Sequence, residues 1–199
     1  MKAFILLLTL VSSIFAFSIN ESLLKVHATL LPKIYLMDYK FKDKIKDNTI
    51  SIAILYHENE YRDAKKLKGL IQNRYRDGIK SYTVSPKLVN YKNIQTAEAN
   101  IYYLFPTRSK EIREVVKKAA TSDALTFSYQ RDDLKHGVMI SLNVSKKIKP
   151  LLNLEAIRTH KIALRPVLIN ISTIYSQDLG SIKEHLEIRG LNFYRIYKA

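Results

Sequence analysis

The sequence predicts an α/β fold: a three-layer α/β/α sandwich with a mostly parallel sheet and a C-terminal antiparallel hairpin at the edge of that sheet. Short β-rich apolar runs alternate along the chain with segments whose apolar residues recur at helical spacing. Strands separated by helices imply parallel pairing, because the chain must cross back over the sheet between them. Two closely spaced strands, 137–144 and 147–152, follow the alternating part and predict the hairpin.

The individual elements follow from local patterns. A helix is expected from Glu21 to Met37, kinked or broken at Pro32, because proline disrupts a helix interior. The apolar run Thr49 to Leu55 predicts a buried strand. The other expected elements are a helix from Asn59 to Tyr75, strands at 79–84, 101–105 and 124–128, a loop at 86–95, a helix at 108–120 capped by Thr107, a helix at 153–160, and an apolar helix at 165–175 opened by Pro166.

The first eighteen residues read as a secretory signal peptide. Lys2 supplies a positive start, Ala3 to Phe17 is almost wholly apolar, and small residues at 16 and 18 predict cleavage after Ser18. The alternative is an uncleaved anchor, but fifteen residues fall short of the roughly 20 that span a bilayer. The predicted organisation is therefore a signal peptide at 1–18, one domain at 19–179, and a basic C-terminal tail at 180–199.

Composition bounds the chemistry and the partners. The chain has no cysteine, which excludes disulfides, thiolate nucleophiles and cysteine-ligated metal centres. Its 33 Lys and Arg against 18 Asp and Glu give a net charge of +15, or +14 once Lys2 is removed with the signal peptide. The positive electrostatic field of such a chain attracts anionic surfaces and polymers. Export argues against nucleic acid as the partner. The alternative to a functional basic surface is that the lysine pairs, which are dispersed along the chain, only solvate the surface.

Several familiar catalytic and cofactor motifs are missing. The five glycines form no nucleotide-binding loop, no G-x-S-x-G elbow exists, and no two histidines stand four residues apart. We therefore predict no cofactor, no metal, no catalytic residue and no enzymatic activity.

Two polar clusters are candidate sites for acid/base chemistry. The segment 57–60 (HENE) follows the first strand at the carboxyl edge, where open α/β sheets bind ligands. It is either a metal or acid/base site or a solvated turn before the next helix. Asp132 and Asp133 follow the fourth strand, and paired carboxylates do acid/base work when buried. Their flanking by Arg131 and Lys135 favours a surface turn.

A candidate ligand pocket is expected where three loops converge at the carboxyl edge of the sheet. Arg108 stands at a helix N-terminus, where free N–H groups and the helix dipole favour an anion. The alternative is that Arg108 is an ordinary exposed first-turn residue. The candidate ligand-binding residues are Tyr56, His57, Arg108, Tyr129 and Arg131.

From Ala124 onward the sequence resembles the second half of the YfiR-like family. The matching features are a strand that ends near L-T-x-S, an acidic loop, a G-x-x-I step into a short basic hairpin, an Asn-led helix and a final apolar segment. The residues in those places are Leu125–Ser128, Gly137–Ile140, Asn153–Ala156 and Val167–Tyr175. An amphipathic helix directly after the signal peptide, followed by a strand, matches the opening of the family.

The resemblance implies a periplasmic, non-enzymatic regulator that restrains an inner-membrane diguanylate cyclase, forms homodimers and is linked to peptidoglycan-fragment sensing. Two departures matter: the absence of cysteine removes redox control, and Tyr39 and Phe41 lack the following proline of the family. The alternative function is a periplasmic binding protein for an anionic small molecule or wall fragment. A hydrolase that uses Glu58, Asp132 or Asp133 is a third hypothesis.

Overall fold

The computed structural model describes residues 19–144 and 147–176. The predicted signal peptide at 1–18 and the whole of the basic tail at 180–199 therefore lie outside the described residues. In the described ranges no helix is both long enough and apolar enough to cross a bilayer.

A seven-stranded sheet organises the domain. The strands are β1 Thr49–Tyr56, β2 Thr83–Asn90, β3 Ile101–Leu104, β4 Leu125–Ser128, β5 Ile140–Val144, β6 Ile148–Leu152 and β7 Thr173–Ile174. The strand order is β2-β1-β3-β4-β5-β6-β7, and all neighbours pair in parallel except β5 and β6, which are antiparallel. The α/β class, the mostly parallel sheet and the C-terminal hairpin are thus confirmed.

Helices cover both faces of the sheet and enclose two apolar clusters. The helices are α1 Glu21–Tyr35, α2 Phe41–Lys44, α3 Tyr61–Arg74, α4 Ser109–Ala120, α5 Leu154–Thr159 and α6 Pro166–Ile171, with 3₁₀ helices at Glu58–Glu60, Tyr91–Thr96 and Arg131–His136. One cluster joins α1, α3, α5 and α6 to one face, and the other joins α4 and the last two 3₁₀ helices to the opposite face.

The first helix continues through Pro32 to Tyr35, so the predicted break does not occur. Proline removes one intrahelical hydrogen bond and its ring crowds the carbonyl of the preceding turn. Burial of Leu31, Ile34 and Tyr35 holds the last turn against the core and offsets that loss.

The second strand begins later than predicted. Its expected range was 79–84, with a loop at 86–95, but β2 runs from Thr83 to Asn90 and includes Pro86. Ile79 and Tyr82 instead close a tight turn by pairing with each other. Proline weighed against a strand in the sequence, yet it is tolerated here because β2 is an edge strand.

The end of the domain also differs from the expectation. The predicted helix at 165–175 is shorter, since α6 ends at Ile171 and β7 follows. The two residues of β7 pair in parallel with Leu151 and Leu152, so β7 lies outside the β5–β6 hairpin. Ser172 breaks the helical pattern there and adopts extended backbone angles.

Candidate functional site

The carboxyl ends of β1, β3 and β4 meet at one edge of the sheet, as the parallel topology requires. The loops that follow these strands carry the candidate residues, together with the first turn of α4. The structure brings two of the five candidates together there, His57 and Arg108, through a third residue that the sequence analysis had not singled out.

His57 links the end of β1 to the start of α4. Its Nε2 lies 2.9 Å from Thr107 Oγ1 and 3.1 Å from Glu111 Oε2. Its imidazole lies over the ring of Tyr91, with the centroids 4.7 Å apart. Its backbone N–H donates to Glu60 Oε2 at 3.2 Å, which starts the 3₁₀ turn before α3. The HENE segment is therefore a helix-starting turn whose histidine reaches across to α4.

The carboxylate of Glu111 is the centre of this cluster. It accepts a very short hydrogen bond from the Thr107 hydroxyl and a 3.0 Å bond from Arg108 Nη2. Burial by itself raises the pKa of Glu111, but the hydrogen bonds from Arg108, Thr107 and His57 outweigh burial and hold the pKa at about 2. Glu111 is thus an internal anion at neutral pH.

The Glu111 carboxylate lies where the sequence predicted a bound anion, at the N-terminus of α4. Its Oε2 accepts from the Arg108 backbone N–H at 3.4 Å, so it lies at the N-terminus of α4. The N-cap of that helix is Arg108, not Thr107 as predicted, because Thr107 turns its hydroxyl toward Glu111. The Arg108 side chain remains 83% exposed, and the hydrogen bond from its guanidinium to Glu111 raises its pKa.

The other three candidates are dispersed. Tyr56 packs its ring against Tyr61 at the start of α3, with centroids 5.5 Å apart. Tyr129 is 8% exposed, and its hydroxyl accepts the backbone N–H of Asn20 at 2.9 Å, so it is covered by the start of α1. Arg131 is exposed, and its Nε lies 4.0 Å from Asp132. A single pocket that joins all five candidates stays a prediction.

The prediction of a surface turn at Asp132 and Asp133 is wrong for Asp133. Asp132 is exposed, as a surface turn requires, but Asp133 is only 4% exposed. It accepts a short hydrogen bond from the hydroxyl of Ser128, at the end of β4. Burial raises the pKa of Asp133 to about 6, against the opposing effect of that hydrogen bond. The signal in the sequence that could have predicted the burial of Asp133 was the apolar Leu134 that follows it.

The cluster is a hydrogen-bonded ionic network and offers no activated nucleophile. Among residues 19–144 and 147–176, no group of three or more His, Asp or Glu side chains is placed to hold a metal ion. Thr107, the hydroxyl nearest to His57, donates to Glu111 instead. The arrangement therefore fixes the geometry of the carboxyl edge and leaves one arginine reaching into solvent.

Comparison with known proteins decides the family. The profile of the YfiR/HmsC-like family (DUF4154) matches residues 44–173, from the end of α2 into β7. The chain belongs to the YfiR/HmsC-like family. That family is regulatory rather than catalytic, is periplasmic, and acts with a signalling partner protein. No curated protein sequence matches this YfiR/HmsC-like chain.

Solved structures agree with this fold. A conserved domain protein from Vibrio cholerae is 12% identical, with a TM-score of 0.55 over 77% of this chain and 60% of that chain. A Streptococcus pneumonia structure described as an ABC domain in complex with L-Trp is 11% identical, with a TM-score of 0.53 over 77% of this chain and 62% of that chain. The YfiR/HmsC-like chain thus spans about 60% of the length of these neighbours, and the likeness concerns the fold alone.

Proposed function

We propose that this chain is a non-enzymatic periplasmic regulator that restrains an inner-membrane diguanylate cyclase in response to an envelope signal. The observation that carries the proposal is the family match, which covers the sheet from β1 into β7. Such a regulator acts by binding a partner, and its differential affinity for the partner's two states sets the size of the response.

The carboxyl-edge network supports a binding role over a catalytic one. Glu111 is held by Thr107, His57 and Arg108, so the polar groups at the edge already have internal partners. An edge whose polar groups are hydrogen-bonded in this way offers a preformed surface to another protein. Catalysis would instead need a hydroxyl or carboxylate left poised for reaction.

The test is the cyclic-di-GMP content of cells that lack the gene. Deletion should raise the nucleotide and increase surface attachment, and expression of the full chain with its signal peptide should reverse both changes. A deletion strain with unchanged nucleotide, under conditions where the gene is expressed, would remove the proposal. A signal-peptide deletion variant serves as the control, because the same domain retained in the cytoplasm should not complement.

A second candidate function is the binding of an anionic small molecule or a wall fragment at the carboxyl edge. The exposed guanidinium of Arg108 favours it, because that group can move from Glu111 to a ligand carboxylate or phosphate. The Streptococcus pneumonia neighbour is a domain in complex with L-Trp, which is consistent with ligand binding by this fold.

Thermal shift measurements with peptidoglycan fragments and small organic anions test this second candidate. A ligand that binds only the folded state should stabilise it by about 2.7 kcal/mol at a hundredfold excess over Kd. Arg108→Gln should abolish the shift, whereas Arg113→Gln, a matched change on the exposed side of α4, should preserve it. A shift that survives Arg108→Gln would rule out this site.

A further inference from the structure

The outer edge of β2 has no pairing partner in the part of the chain that the structure describes. β2 is the terminal strand of the sheet and pairs on one side only, with β1, over all eight of its residues. An unpaired edge presents a row of backbone N–H and C=O groups to solvent. Such a row can accept an extended segment of another chain as an added strand.

The hydrogen-bond pattern shows which groups face outward. The N–H of Thr83 donates to the carbonyl of Asn48 at 2.9 Å, so Thr83 faces β1. Backbone groups alternate along a strand, and therefore Val84, Pro86 and Leu88 face away from β1. Pro86 thus costs no hydrogen bond inside the sheet. The outward row keeps the carbonyls of these three residues and the N–H groups of Val84 and Leu88.

A recess of about 400 Å³ lies beside this edge, on the face of the sheet that α4 covers further along. The chain crosses from β2 to β3 through the short 3₁₀ helix Tyr91–Thr96 and a loop, and this crossover leaves part of β1 and β2 open. Small residues of β1 and the loop make room for a side chain of an added strand. The lining residues are Ser51, Ile52, Ala53, Lys87, Val89, Thr96, Ala97 and Glu98.

The charges around the edge are predominantly positive. Lys80, Lys87 and Lys92 are exposed, and none of them forms an ion pair with another described residue. Two acids lie near the edge and both have polar partners: Glu98, on the rim of the recess, lies 3.9 Å from the amine of Lys46, and Glu58 accepts from the side-chain amide of Asn90 at 3.0 Å. The edge therefore favours an acidic strand.

Two other occupants fit less well. A second copy joined through β2 would bring the unpaired lysines of both copies together, in a chain whose net charge is already +15. The C-terminal segment 180–199 carries four Lys and Arg against two Glu, so it lacks the acidic character that the edge favours.

We propose that the outer edge of β2 and its neighbouring recess bind an extended, acidic segment of a partner protein as an eighth strand. This inference deepens the proposed function, on which it rests for the identity of the partner, by assigning the contact surface. Backbone pairing would supply affinity, Lys87 would select acidic sequences, and the recess would take one apolar side chain.

The probe is a fluorescent decapeptide of alternating Glu and Val, measured by anisotropy against the full-length mature chain. Comparison peptides replace every Glu with Lys, or carry N-methyl groups that prevent strand pairing. Lys87→Glu tests whether the positive charge at the β2 edge contributes to peptide binding. Lys117→Glu, the same charge change at an exposed site on α4, is the matched control. Hydrogen exchange reports directly on the amides of Val84 and Leu88.

The Glu/Val peptide should bind, and Lys87→Glu should weaken it about fivefold or more, while Lys117→Glu should change binding less than about twofold. Binding should slow exchange at Val84 and Leu88, and the N-methylated peptide should fail. Equal binding of the Lys/Val peptide, no effect of Lys87→Glu, or no binding of any peptide would overturn the inference. These outcomes are independent of cyclic-di-GMP content, so failure of the surface and failure of the proposed function are separate results.

Discussion

Nε2 of His57 lies 3.1 Å from Oε2 of Glu111, and this contact joins the end of β1 to the first turn of α4. The same carboxylate accepts from Thr107 and from Arg108, so three donors hold one internal anion at the carboxyl edge. The network therefore predicts how the stability of the domain depends on Glu111 and on pH.

Glu111→Gln should destabilise the domain by about 1–3 kcal/mol at pH 7, because it removes an ionised acceptor from three donors. The pKa of Glu111 is held at about 2, below the ordinary 4.5, so its contribution is complete above pH 4.5 and disappears as pH falls toward 2. Urea unfolding of wild type and variant at pH 7 and pH 3 should show the difference shrinking at the lower pH. Glu114→Gln, on the same helix, is the control and should show no such dependence.

His27 predicts a loss of stability in mild acid. It lies on the buried face of α1 and is fully buried, with Nδ1 2.6 Å from the Tyr103 hydroxyl, and burial lowers its pKa to about 3. Above pH 6.5 the histidine is neutral in both the folded and unfolded states. Below pH 6.5 His27 is protonated in the unfolded chain but stays neutral in the folded chain. Stability therefore falls by up to about 1.4 kcal/mol per pH unit until pH 3.

Substitution at His27 separates this effect from that of other groups. His27→Leu should lose about 1–3 kcal/mol at pH 7, because the buried Tyr103 hydroxyl loses its partner, but should show a flatter pH dependence between 6.5 and 4. Tyr103→Phe keeps the buried imidazole and should keep the steeper slope. Equal slopes in wild type and His27→Leu would contradict the assignment to His27.

Asp133 predicts a pH dependence of stability that is opposite in sign to that of His27. Burial raises its pKa to about 6 from the ordinary 3.8, so the folded state holds a proton that the unfolded state releases. Its stabilising contribution is complete below pH 3.8 and is lost as pH rises through 6. Asp133→Asn should therefore raise stability by about 1–2 kcal/mol at pH 7.5, since an Asn amide oxygen can still accept from Ser128.

Calorimetry at pH 7.5 and pH 4.5 measures this change as a shift in Tm. The gain in stability of Asp133→Asn over wild type should be smaller at pH 4.5, where the wild-type carboxyl is already protonated in the folded state. Asp132→Asn, at the exposed neighbour, should remain within about 0.5 kcal/mol of wild type at both pH values. A variant that is destabilised at pH 7.5 would show that the ionised carboxylate is favoured in the fold.

Asp38 anchors the segment after α1 to the segment before α6. It is 2% exposed, and its carboxylate accepts from Lys44 Nζ at 2.8 Å and from the Ala163 N–H at 3.0 Å. Asp38→Ala should cost about 3–5 kcal/mol, because it leaves a part-buried lysine and a backbone donor without their partner. Hydrogen exchange should increase around residues 36–41 and 162–168. Asp43→Ala, at an exposed site in α2, should leave exchange in both segments unchanged.

The fold was largely predictable because its signals are local. The run at Thr49–Leu55 and the helical spacing around Val115 each specify one element, and their alternation specifies the parallel sheet. The errors arose where tertiary position decides the outcome. Pro86 is acceptable in β2 because that strand lies at the edge, and Thr173 pairs in β7 because β6 is adjacent.

The candidate site was less predictable. The sequence placed His57 and Arg108 at the correct edge, because the topology sends the loops after β1 and β3 to the same side. It did not reveal that Glu111 would fill the space between them, since an acid in a first turn usually faces solvent. Nor did it separate Asp132 from Asp133, because burial of one of two adjacent carboxylates depends on how the segment packs around Leu134.

Co-purification tests most directly the central claim that this YfiR/HmsC-like chain works by binding a membrane signalling protein. The tagged mature chain is incubated with detergent-solubilised inner membranes, and retained proteins are identified by mass spectrometry against an equally basic, exported control protein. The account predicts retention of a membrane protein that has a periplasmic region and a cytoplasmic diguanylate cyclase domain. Retention of no membrane signalling protein above the control would contradict it.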